Sequence, residues 1–242
     1  MITTIGFDGD DTLWHTESVF ASTEQQYQRI LAEFADRESL KERLFETEMR
    51  NLALFGYGVK SFMLSMLEAA IDVSGRRVSA MQMQEVLNIG KSMLERDVEP
   101  ISGAEATLAA LARRHRLLLI TKGDLFDQES KLAQSGLSQF FSGVVIVSDK
   151  DAATYERVLS QHDTSVAGFV MVGNSLRSDV VPVVELGGRA IHVPYHVTWA
   201  HEEGDASELP LDRYRHVPAI VEVPAAITEL DDEGRRASVT RD

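Results

Sequence analysis

Five short runs of almost unbroken apolar residues limit what this chain can fold into: "MITTIGF" at 1–7, "RLLLIT" at 116–121, "GVVIVS" at 143–148, "GFVMVG" at 168–173 and "RAIHVP" at 189–194. Continuous hydrophobicity, as opposed to alternation, predicts parallel strands covered on both faces. A weaker run, "VPAIVEV" at 217–223, reads as a further strand. Helical patterns of crossover length lie between most of them. "GAEATLAALARRH" puts Leu108, Leu111 and Ala112 on one face, "QESKLAQSG" ends at a C-terminal cap in Gly136, and "SDVVPVVELGG" stops at Gly187 and Gly188. This rhythm predicts an α/β chain built on a Rossmann-like, doubly wound parallel sheet.

The interval between the first two runs is far longer than one crossover needs. It reads as helical throughout: Phe20, Tyr27, Leu31 and Phe34 form one apolar stripe, Leu40, Leu44, Leu52 and Phe55 a second, Met63, Leu67, Ala70 and Ile71 a third, and "VSAMQMQEVLNIGKSML" a fourth. The expected organisation is a core domain of residues 1–14 and 98–242, with an all-helical cap domain, 15–97, inserted over the C-terminal end of the first strand. The polar end "DDEGRRASVTRD" is expected to fray.

Charge narrows the partners. Against 38 acidic residues stand 24 Lys and Arg, a net −14 that repels phosphate backbones, so no nucleic acid is expected. No run approaches the length of a membrane span, and the N-terminal run lacks a basic leader, so no membrane is expected either. The absence of cysteine rules out thiolate metal sites and suits a reducing cytoplasm.

In a parallel sheet the C-terminal strand ends share one crevice. Asp8, Asp10 and Thr12 follow the first run, Thr121 with Lys122 and Gly123 the second, Lys150 the third, and Asn174, Ser175 and Asp179 the fourth. Carboxylates packed at the end of a buried strand repel one another and lose hydration, which implies something positive between them. Carboxylate and carbonyl oxygen without His or Cys is the shell of a hard cation, Mg²⁺ beside phosphate. Lysine and a threonine hydroxyl are what a phosphoryl dianion takes opposite that cation. Asp11, one residue from Asp10, points the other way in an extended segment. The histidines of "IHVPYHVTWAHE" fit no ligand spacing and read as packed or surface groups.

Taken together these residues resemble the motifs of the haloacid dehalogenase (HAD) superfamily. Asp-x-Asp-x-Thr matches Asp8-Gly9-Asp10-Asp11-Thr12, the strand-ending hydroxyl matches Thr121, and the lone lysine matches Lys150. The fourth motif matches in part, with Asn174 at the usual first acid and Asp179 at the second. The resemblance implies stepwise phosphoryl transfer. Asp8 is then the nucleophile and Asp10 the proton donor and acceptor. Thr121 and Lys150, with Gly9, Lys122 and Gly123 beside them, bind phosphoryl oxygens, and Mg²⁺ lies between Asp8, the Asp10 carbonyl, and Asn174 or Asp179. The expected function is Mg²⁺-dependent hydrolysis of a small phosphate ester. A metal-independent 2-haloacid dehalogenase, a phosphomutase and a catalytically weak binding protein share the same frame. Asn174 is compatible with the dehalogenase branch, but that branch lacks the second acid, Asp10.

Overall fold

The computed structural model describes residues 1–197, 199–202, 204–207 and 209–239, which fall into two compact units. One comprises Met1–Glu17, Val98–Thr121 and the described part of Lys131–Asp242; the other comprises Ser18–Asp97 and Lys122–Ser130.

The second unit is built on four helices: α1 (Glu17–Ile30), α2 (Arg37–Phe55), α3 (Val59–Val73) and α4 (Ala80–Leu94). Their ends are set locally. The Asp36 carboxylate accepts from Ser39 N at 2.9 Å to start α2, and Ser79 and Gln82 form a reciprocal capping box at α4. Tyr27, Leu31, Leu40, Leu44, Phe62, Met66 and Val86 fill the core. Each such aliphatic side chain contributes about 1.5–3 kcal/mol of burial.

The expected stripe on α3 is displaced. The buried face carries Val59, Phe62, Met66, Ala69 and Ala70, while Met63 and Leu67 are half-buried and Ile71 is exposed. Two apolar stripes share this helix at the same period, and period alone does not say which one faces inward. On α2, Leu40 and Leu44 are buried as expected, but Leu52 is half-buried and Phe55 exposed. The Tyr27 hydroxyl is fully buried without a hydrogen-bond partner among the described residues. Tyr27→Phe should therefore leave stability unchanged or raise it by up to about 1 kcal/mol, read from urea unfolding, because it removes a desolvated donor and keeps the ring.

The first unit is a sheet of β1 (Thr4–Phe7), β2 (Arg116–Lys122), β3 (Gly143–Val147), β4 (Phe169–Gly173), β5 (Arg189–His192) and β6 (Tyr214–His216), in the order β3-β2-β1-β4-β5-β6. β1 pairs in parallel with β2 and β4, and β4–β5 and β5–β6 are also parallel. The order turns back at β1, as in doubly wound folds. The accompanying helices are α5 (Ala104–Leu111), α7 (Ala152–Gln161), α8 (Val181–Glu185) and α9 (Val223–Val239), while α6 (Leu125–Ser135) begins in the helical unit and belongs to this one from Lys131 onward.

Alternate strand residues serve opposite faces. Ile5, Phe7, Leu117, Leu119, Val170 and Val172 pack with Leu108 of α5 and Val223, Ile227 and Leu230 of α9. Leu118, Ile120, Phe169 and Met171 pack with Tyr155 and Val158 of α7 and Val183 of α8. With both faces covered, the strands need the continuous hydrophobicity that marks them in the sequence.

One expectation at the C-terminal end is corrected. The sixth strand is Tyr214–His216 and not 217–223, where a short turn at Ile220–Glu222 leads into α9. The buried residues Ile220, Val223, Ala226, Ile227 and Leu230 recur every three or four positions, which is a helical period. The polar end is helical to Val239, and 240–242 lie outside the described residues.

The chain leaves this unit after Glu17 and again after Thr121, and the first, longer excursion starts and ends on paired backbone. Ile101 N donates to Leu13 O at 2.8 Å, His15 N donates to Glu99 O at 3.0 Å, and Trp14 and Pro100 form an antiparallel bridge between them. Among the described residues no helix is long and apolar enough to cross a membrane.

Candidate active site

Register brings the motif residues to one sheet edge. Phe7 stands opposite Leu119 on β2 and Val172 on β4, so Asp8, Thr121 and Asn174 follow at the same C-terminal edge. This is the switch point of the strand order, where doubly wound sheets open a crevice.

The turn after β1 is tight. Gly9 O accepts from Leu13 N at 2.8 Å and Thr12 N at 3.3 Å, and a Cβ on Gly9 would stand 2.6 Å from the Trp14 ring and 3.3 Å from Thr121 Oγ1. Only glycine lets the indole and the hydroxyl approach the backbone there. The Thr121 hydroxyl is buried and has no hydrogen-bond partner among the described residues. An oxygen-rich ligand would satisfy it.

Lys150 is the buried cation of the site. Its Nζ lies 2.5 Å from Asp8 Oδ1 and 2.7 Å from Asp179 Oδ1, with all three side chains less than a tenth exposed. Burial alone would lower the Lys150 ammonium, but the Asp179 and Asp8 carboxylates reverse this and hold it above its ordinary value. Burial pushes the Asp8 carboxyl up to about 7, with Lys150 pulling it back and Asp179 and Asp10 adding to the rise. The other Asp179 oxygen accepts from Ser175 N at 3.0 Å. Gly173 makes room for this arrangement, since a Cβ there would overlap the Asp179 carboxylate.

Asn174 completes an oxygen cluster. One terminal atom of its amide lies 3.2 Å from Asp8 Oδ2 and 3.3 Å from the Asp10 carbonyl oxygen. With nitrogen there, the amide donates to both; turned over, it presents a third oxygen to the same point. Among the described residues no three His, Cys, Asp or Glu side chains are grouped as a metal site, so a cation here would draw on amide and backbone oxygen. The donors are all hard oxygens and fit Mg²⁺.

Asp10 is held separately. Its Oδ1 accepts from Trp14 Nε1 at 2.7 Å and Thr16 Oγ1 at 2.8 Å, and Lys131 Nζ lies 3.1 and 3.2 Å from its two oxygens. Asp11 caps the start of α1 instead, because with φ of 62° its carboxylate turns inward and accepts from Thr16 N and Glu17 N. Burial pushes it up to about 8 against the pull of those N–H groups.

Two further candidates follow Thr121 directly. Lys122 and Gly123 belong to the helical unit, where Lys122 Nζ lies 4.2 Å from the Tyr57 ring centroid and Gly123, at φ 140°, abuts Gln128. His192 Nε2 lies 2.9 Å from the Asn174 carbonyl, a supporting contact that the sequence pattern does not suggest. Lys131 escapes sequence reasoning as well, because nothing in its helix separates it from a surface lysine.

Residues 2–182 match the family profile described as haloacid dehalogenase-like hydrolase. The chain is 26% identical over 145 residues to N-acylneuraminate-9-phosphatase of Rattus norvegicus, covering 57% of this chain and 53% of that protein. It thus spans about half the length of this phosphatase relative. A haloacid dehalogenase-like family hydrolase from Xanthomonas campestris superposes with a TM-score of 0.87 at 42% identity, over 98% of this chain and 94% of that one. A 2-haloacid dehalogenase from Pseudomonas syringae superposes at 0.61 with 23% identity, over 94% and 99% of the two chains. With the profile spanning β1 to β4 and the turn that carries Asn174 and Asp179, the chain belongs to the haloacid dehalogenase-like hydrolases.

Proposed function

We propose that the chain is a Mg²⁺-dependent phosphatase that hydrolyses a small, soluble phosphomonoester through an aspartyl-phosphate on Asp8. One observation carries this reading: the turn after β1 holds two carboxylates in different settings. Asp8 is buried against the Lys150 ammonium, whereas Asp10 is held apart by Trp14, Thr16 and Lys131. Displacing halide from carbon calls for one aspartate. Expelling an alkoxide from phosphorus calls for a second that delivers a proton. The phosphatase relative favours the same choice, while the dehalogenase likeness, at 23% identity, speaks for the fold alone.

In this reading the Asp8 carboxylate bonds to phosphorus as the ester P–O bond breaks, and Asp10 gives its proton to the departing oxygen. Asp10, then a carboxylate, takes a proton from the water that attacks phosphorus, as the Asp8–phosphorus bond breaks, the Asp8 carboxylate returns and phosphate leaves. Thr121 and Lys150 hold phosphoryl oxygens. Asp8, the Asp10 carbonyl and Asn174 would hold the cation, leaving Asp179 to Lys150 and Ser175. Bound there, Mg²⁺ would draw charge from the phosphoryl group as it meets a carboxylate nucleophile. We assign residues 1–14 and 98–242 to the core and residues 15–97 to a cap domain that selects the substrate. The cysteine-free, acidic composition supports a cytoplasmic enzyme of small molecules.

Hydrolysis of 4-nitrophenyl phosphate in Mg²⁺ should fall to background in EDTA and return when Mg²⁺ is restored. Chloride release from 2-chloropropionate at a comparable rate, undiminished by chelator, would overturn the reading.

A further inference from the structure

Lys131 stands where a surface lysine of an amphipathic helix would not normally matter. Its neighbour Leu132 is buried in the sheet core, which fixes the rotation of α6 at this point. The Lys131 side chain is 14% exposed and that of Asp10 26%, so the pair is partly withdrawn from solvent. The ammonium spans both Asp10 oxygens at nearly equal distance, while Trp14 and Thr16 fix Oδ1. A proton-transfer group must hold its oxygen within hydrogen-bond reach of the reacting atom, and small misplacements are costly. The buried Lys150 is engaged with Asp8 and Asp179.

We propose that Lys131 is the positioning residue of the proton-transfer aspartate: its ammonium, with Trp14 and Thr16, locks the Asp10 carboxyl in the orientation that serves the leaving oxygen. The proposal rests on the phosphatase reading above. Its chemistry is confined to the first step, in which the Asp8–phosphorus bond forms, the phosphorus–leaving-oxygen bond breaks, and the Asp10 proton moves to that oxygen. Lys131 touches none of these atoms and acts only through Asp10.

Leaving-group dependence separates this role from a structural one. 4-Nitrophenyl phosphate and benzyl phosphate are similar in shape, but the phenolate departs with little help from a proton and the benzyl alkoxide needs one. With kcat/KM read for both esters, Lys131→Met should lose about tenfold more on benzyl phosphate than on the aryl ester, part of the hundredfold or more that a general acid supplies. The loss should fall on kcat more than on KM. Lys131→Arg, which retains the ion pair, should recover most of it, and thermal melts of all variants would establish folding. Asp10→Asn provides the reference and should show the same selectivity more strongly. If Asp10→Asn is selective but Lys131→Met lowers both esters equally, the proposal falls and the phosphatase reading stands. If wild type and Asp10→Asn handle benzyl phosphate alike, the role of Asp10 fails and this inference fails with it.

Discussion

Asp8→Asn should abolish turnover, with a loss on the order of 10⁴-fold or more, the scale on which removing one member of a catalytic set acts. The substitution preserves shape and removes the anion. An amide lacks the charge to attack phosphorus, while Lys150 keeps its contact with Asp179 and the β1 turn keeps its backbone bonds. The fold should therefore survive, as a thermal melt would show, and the loss should lie in chemistry. Acid quenching during turnover of a labelled ester should trap phosphate on the wild-type chain and none on the variant. A variant retaining as much as a tenth of the wild-type rate would sink the covalent route.

Lys150→Met should cost stability as well as activity. The ammonium sits between two carboxylates, all nearly inaccessible to water, so its removal leaves Asp8 and Asp179 buried without their shared cation. Breaking a buried ion pair from one side costs about 3–5 kcal/mol. The pH dependence has a definite sign. In the wild type the folded Lys150 ammonium lies above its ordinary value, so its contribution is fully present below about pH 10.4 and is lost only as pH rises through the folded value. In the variant the Asp8 carboxyl, already raised to about 7 by burial, loses the Lys150 pull that holds it down. Its folded value then rises further above the unfolded one, and the stability deficit should grow as pH rises above about 7. Urea midpoints for both proteins from about pH 6 to about 9 would show it. A constant difference over that range would mean that Lys150 does not neutralise the pair.

The sheet is legible in the sequence because its constraint is severe. A strand buried on both faces can carry almost nothing but apolar residues, and β1, β2, β4 and β5 declare themselves that way. Short segments with mixed burial are quieter. β6 is three residues long and half-exposed, so its signal is weaker than that of the helix start behind it, whose apolar run mimics a strand. Site residues at strand ends are legible for the same topological reason, since the strand announces its own end. Those supplied by helices and loops are not. Lys131 and His192 reach Asp10 and Asn174 through tertiary contacts across 121 and 18 residues of sequence, and no local pattern encodes such a meeting. Extended-strand alternation misplaces Asp11, because its positive φ breaks that rule and turns its carboxylate inward.

The pairing of residues 13–15 with 99–101 bears on how such a chain can diversify. Because the excursion starts and finishes on hydrogen-bonded neighbours, its two ends impose no span on the sheet, although the unit it builds also takes in residues 122–130. Its length and sequence can drift, or be exchanged between genes, without altering the register of β1 against β2 and β4. Insertions succeed where the two splice points lie close together. Selection can therefore rework this segment while leaving untouched the turn that carries Asp8 and Asp10.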